Sequence, residues 1–207
     1  MLTLGISLII LIIIFAILAI ASYQDIKTTT ISRNVVIALY ILVPAYIYIR
    51  NVNYATAGSC FLFTLITFLC LWFISRKGFG FGDVLVISAL GWMIADFTIL
   101  RVFLISMGVF SIPWALFWLW RYKKNPQLDQ MWTGQPKQLQ TSDLQPGMVL
   151  AEDSFMQGLT SKQIKQIQKQ EYPSIWVKKP MPFIPVVFFT LIYSTVVISF
   201  FPMLQFI

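Results

Sequence analysis

The stretch Leu2–Ser22, LTLGISLIILIIIFAILAIAS, contains no charged residue. At about 1.5 Å of rise per residue, roughly 20 apolar residues in a helix cross the hydrocarbon of a bilayer. The stretch has no basic start and exceeds the roughly 7–15-residue apolar region of a secretory signal, so it reads as a retained membrane span. That reading sets the fold class, and the rest of the chain agrees with it. Of 207 residues, 58% are hydrophobic and 11% charged, and mean hydropathy is +0.77. A soluble domain carries about 25% charged residues.

Outward from that span, five further apolar runs appear: Val35–Ile49, Ala57–Ser75, Val84–Ile99, Val102–Trp120 and Phe183–Phe206. The expectation is an all-α polytopic membrane protein with six transmembrane helices. Residues 1–120 form a membrane domain of five helices, and residues 180–207 supply the sixth. Pro180, Pro182 and Pro185 crowd the start of the sixth, where a missing amide proton costs least.

Between them, residues 121–179 form a polar stretch that reads as a small soluble α+β insert. Pro146–Gly147 signals a turn before a strand-like Met148–Leu150. Thr160 and Ser161 cap a short helix carrying Ile164 and Ile167, and Ser174–Val177 reads as another strand. A module this small is marginal alone, so it is expected to pack on the membrane domain or on a partner.

Basic residues set the orientation. Of the 15 lysines and arginines, all but Arg50 and Arg101 fall on the side holding the loops after spans one, three and five. By the positive-inside rule that side is cytoplasmic. The expectation is a multi-pass protein of the cell membrane with both termini outside. The net charge of +7 then reports topology and contact with the lipid bilayer, not nucleic-acid binding.

The chain has no histidine. That removes Ser-His triads and His-Glu zinc protease motifs. Cys60 and Cys70 share one apolar run, and no CxxC pair exists. No metal site and no cofactor are expected.

Of the eight acidic residues, Asp129, Asp143, Glu152, Asp153 and Glu171 lie in the insert and read as a solvated surface. Asp96, near Arg101, reads as half of an interfacial ion pair. Asp25 and Asp83 lie on the cytoplasmic side. If Asp96 marks the outer interface, the interval 83–96 covers roughly 20 Å of helix. The hydrocarbon core is roughly 30 Å thick, so Asp83 falls below the inner interface. Taken singly, Asp83 reads equally as a helix N-cap and Asp25 as an interfacial carboxylate beside Lys27. Taken together, two carboxylates sharing a proton can activate water: the ionised member is the base and the protonated one polarises a carbonyl. Gly80 and Gly82, flanking Phe81, let backbone lie close to an extended peptide, forming a substrate-approach loop.

Gly80-Phe81-Gly82-Asp83, followed by VLVISALGWMIAD, and Gln24–Asn34, QDIKTTTISRN, resemble the prepilin and preflagellin (archaellin) peptidases, membrane aspartyl proteases of the GxGD type. The resemblance covers roughly residues 5–120. It implies that Asp25 and Asp83 are the catalytic pair. It implies an aspartic endopeptidase that removes the short basic leader of prepilin or archaellin precursors at the cytoplasmic membrane face. Ser32 stands where relatives carry proline. Leu85 stands where many carry lysine, which leaves Lys27, Arg76 or Lys77 to tune the pair. The cysteine pairs of methylating bacterial members are absent, and the compact chain is similar to the archaeal branch. Signal-peptide peptidases and presenilins carry a Tyr-Asp motif and a Pro-Ala-Leu motif; here Gln24 precedes Asp25 and no Pro-Ala-Leu occurs. The rival reading from the carboxylates is a proton- or cation-coupled transporter or channel.

Overall fold

A computed structural model describes residues 2–28, 31–74, 80–124, 137–146, 148–151, 159–170, 173–178 and 182–200. Seven helices lie among them: α1 Leu2–Thr28, α2 Arg33–Ile49, α3 Tyr54–Ile74, α4 Phe81–Ile94, α5 Phe97–Lys123, α6 Ser161–Lys169 and α7 Ile184–Phe200. Three of these, α1, α3 and α5, are long and apolar enough to cross a membrane. The other apolar helices, α2, α4 and α7, are shorter.

Hydropathy does not choose which face of these helices turns inward. On α1, Ile14, Leu18 and Ala21 are buried while Leu8, Ile9, Ile12 and Ile20 are exposed. Lipid accepts an isoleucine as readily as the core does, so steric fit and polar groups decide. The buried stripe on α1 continues at helical spacing to Ser22 and Asp25. On α2 the stripe is Val35, Leu39, Val43 and Ile47. Helix α4 is buried on almost every side, from Asp83 through Gly91. It lies against α3 and α2; α1 packs on α2 and α7, and α7 on α5.

Close approach explains the α3–α4 contact. A Cβ at Gly91 would overlap the side chain of Thr64, which is fully buried and turns its hydroxyl onto Cys60 O at 2.8 Å. Between α2 and α4, the Tyr40 hydroxyl meets Ser88 Oγ at 3.0 Å.

The boundary between the fourth and fifth apolar helices differs from expectation. The apolar run expected over Val84–Ile99 is split. Helix α4 starts at Phe81 and ends at Ile94, Ala95 turns through a left-handed φ of 50°, and α5 starts at Phe97. Asp96 is the reason. Its Oδ1 accepts from the amides of Thr98 at 2.7 Å and Ile99 at 3.1 Å, satisfying donors that the first turn leaves open. The carboxylate expected to pair with Arg101 is therefore the cap of α5.

In the insert, strands β1 Lys137–Gln140, β2 Val149–Leu150 and β3 Ser174–Lys178 form an antiparallel sheet in the order β1-β3-β2. Thr160 caps α6 reciprocally with Gln163. Leu139, Leu144, Met148, Leu159, Ile164 and Val177 close a second small core against Trp118 of α5.

Gly91→Ala is expected to destabilise the protein by about 1–3 kcal/mol through overpacking against Thr64, read as a lower unfolding midpoint in detergent. Gly58→Ala, with open space around a new Cβ, is expected to leave the midpoint unchanged or raise it slightly.

Candidate active site

Asp25 ends the inward stripe of α1. Its residue is 4% exposed. A carboxylate taken out of water must find hydrogen-bond partners. The partners here are backbone: Oδ2 accepts from Phe183 N at 2.6 Å and from Ile184 N at 2.8 Å. Those amides open the first turn of α7, where helical bonding leaves donors unused. Pro185, one residue later, has no amide to offer.

Asp83 sits in the first turn of α4 and is 7% exposed. The sequence allowed an N-cap role; the structure places Gly80 at the cap and Asp83 within the helix. Asp83 N donates to Gly80 O at 3.0 Å, and Gly80 N donates to Asp83 Oδ2 at 3.0 Å. This reciprocal pair fixes the carboxyl against the glycine turn. The glycine at the cap has no side chain of its own, so Asp83 supplies the oxygen.

The chain segments that carry the two carboxyls, 58 positions apart in sequence, meet: Ile31, in the loop after Asp25, packs against Gly82, the residue before Asp83. Both also lie at the positive ends of helix dipoles, Asp25 against α7 and Asp83 within α4. Among the described residues, the hydrogen bonds to each carboxyl end on Oδ2. Oδ1 of each is the oxygen with lone pairs to offer a water or a peptide.

The loop after Asp25 packs on the glycine turn. Ile31 Cδ1 lies 3.4 Å from where a Gly82 Cβ would stand, so a Cβ there would be in van der Waals contact with the loop. Ser32 caps α2 by accepting from Val35 N at 3.4 Å. Its amide donates to Gln24 Oε1 at 3.3 Å, tying the loop back to the residue before Asp25. Phe81, 37% exposed, leans edge-on against Trp72 with centroids 5.7 Å apart.

Of the cations that could tune the pair, Lys27 lies over the Tyr23 ring at 5.8 Å. Arg76 and Lys77 lie outside the described residues. The close partners of Asp25 are the α7 amides, which sequence reasoning did not assign. The only signal for them was the clustered prolines, which leave the amides of Phe183 and Ile184 between Pro182 and Pro185.

The type IV leader peptidase family model matches residues 12–116, a stretch containing both aspartates and the glycine turn. No curated protein and no solved structure matches the chain.

An ideal Gly82 Cβ would stand 3.6 Å from Ile31 Cβ, inside the range of about 3.5–4.5 Å that a disulfide needs. With Cys60 and Cys70 replaced by serine, the Ile31→Cys, Gly82→Cys variant is expected to form an intramolecular disulfide under mild oxidation. Mass spectrometry should recover the linked peptides. Free thiols at both positions after oxidation would contradict this contact.

Proposed function

Because the chain belongs to the type IV leader peptidase family, we propose that it is an aspartic endopeptidase whose catalytic pair is Asp25 and Asp83. Membership makes it a leader-peptidase-like protease that processes prepilin-type substrates, and sets the transporter reading aside. The observation that carries the finer proposal is the burial of two carboxyls from helices distant in sequence, on segments that meet where Ile31 packs against Gly82.

The chemistry follows from the pair holding one proton between them. The ionised carboxylate takes a proton from water as the oxygen attacks the scissile carbonyl carbon. The protonated carboxyl donates to the carbonyl oxygen. Collapse of the tetrahedral intermediate breaks the C–N bond, and the nitrogen leaves with a proton returned by the carboxyl that acted as base. A helical substrate hides its carbonyls in hydrogen bonds, so the bond must be presented unwound. Gly80, at the cap of α4, offers backbone without a side chain beside Asp83.

The proposed topology has all six apolar helices in the bilayer, both termini outside, and the GxGD turn and Asp25 at the cytoplasmic face. The proposed substrates are type IV prepilin-like or archaellin precursors, with a short basic leader ahead of an apolar helix. The proposed activity is cleavage without methylation, as in the archaeal branch; Cys60 and Cys70, the cysteines of this sequence, form no CxxC pair.

Co-expression with such a precursor tests the assignment. Asp25→Asn and Asp83→Asn each keep a hydrogen-bond acceptor but lose the exchangeable charge. Each is expected to slow leader removal about 100-fold or more, with normal membrane levels. Asp96→Asn, which keeps the cap of α5, is expected to process normally. Wild-type rates in either of the first two variants would remove the dyad.

A further inference from the structure

The family match ends at residue 116, yet the groups that hold Asp25 lie beyond it. We infer that the first turn of α7 is a positioning element of the catalytic centre, with the amides of Phe183 and Ile184 aiming Asp25 and Trp114 of α5 holding that turn in place. This inference rests on the reading of Asp25 as catalytic.

Two N–H donors on one oxygen, at 2.6 and 2.8 Å, define the carboxyl plane as well as its position. One donor would leave the carboxyl free to swing. Such bonds to a charged acceptor are among the strong ones. They engage Oδ2 and leave Oδ1 for chemistry. The turn is itself fastened. Trp114 Nε1 donates to Pro182 O at 2.7 Å, one residue before the two donors.

Trp114 also packs edge-on against Trp118, centroids 6.0 Å apart, and Trp118 belongs to the small core of the insert. Strand β3 ends at Lys178, shortly before Pro182. The insert therefore meets the positioning turn twice, once along the chain and once through the tryptophans. Its role in this account is to set where α7 begins.

The test uses purified full-length enzyme and a precursor substrate, with kcat and KM measured separately. Ile184→Pro removes one donor at the first helical position, where proline is well tolerated. Ile184→Ala removes the side chain but keeps the donor. The expected result is a kcat for Ile184→Pro about tenfold or more below that of Ile184→Ala, with KM within about threefold between them. Trp114→Phe keeps a ring but loses the indole N–H, and kcat is expected to fall in the same direction by about threefold or more. Equal kcat values for the two Ile184 variants, or a change confined to KM, would overturn the inference. If Ile184→Pro does not accumulate in membranes, Trp114→Phe decides, and a wild-type kcat there overturns it. Asp25→Asn run in parallel separates the two levels. An inactive Asp25→Asn beside equal Ile184 variants sinks the positioning role alone; an active Asp25→Asn sinks both readings.

Discussion

One carboxylate holding two backbone amides organises this molecule. Asp25 leaves water at the end of α1, and a buried ionisable group with no partner would destabilise any bundle that contained it. Its partners are the open donors of α7, which face the same difficulty from the other side. Each deficit satisfies the other. The result joins α1 to α7 across 158 positions of sequence. In a membrane the hydrophobic effect does not press helix onto helix, so polar pairings and close steric fits specify the arrangement. The Asp25–α7 contact is one such polar pairing and Tyr40 with Ser88 another, and Gly91 against Thr64 is a close fit.

The electrostatics of the site follow from that constraint. Asp83 is held by its own helix start through Gly80, and Asp25 by the start of another. Both carboxyls thus meet partial positive charge supplied by fixed backbone. A backbone donor cannot be deprotonated and does not wander, which suits a group that must hold one geometry through a reaction.

Much of this was legible in the chain. The uncharged Leu2–Ser22 run, the glycine turn before Asp83, the cap at Thr160 and the strand at Ser174–Val177 all rest on local rules, and local rules survive folding. Asp25 and Asp83 could be singled out because a carboxylate at the edge of an apolar run needs a reason to be there. Their pairing came from the chemistry two such groups would share and from the resemblance carried by Gly80–Asp83 and Gln24–Asn34. The rest was hidden for physical reasons. Apolar side chains run almost unbroken through Ala95 and Phe97, so hydropathy passes over the turn that divides α4 from α5. Strand β1, Lys-Gln-Leu-Gln, shows a single apolar residue and is made by pairing with β3. The amides of Phe183 and Ile184 are backbone groups, and backbone has no letter in a sequence.

The central claim is that Asp25 and Asp83 face one shared space. The most direct measurement is thiol bridging in native membranes. The Asp25→Cys, Asp83→Cys variant, with Cys60 and Cys70 changed to serine, is treated with dibromobimane, which becomes fluorescent on linking two neighbouring thiols. The account predicts fluorescence on the double variant and none on either single one. Alkylation of both single variants with no bridging in the double would place the carboxyls apart and contradict it.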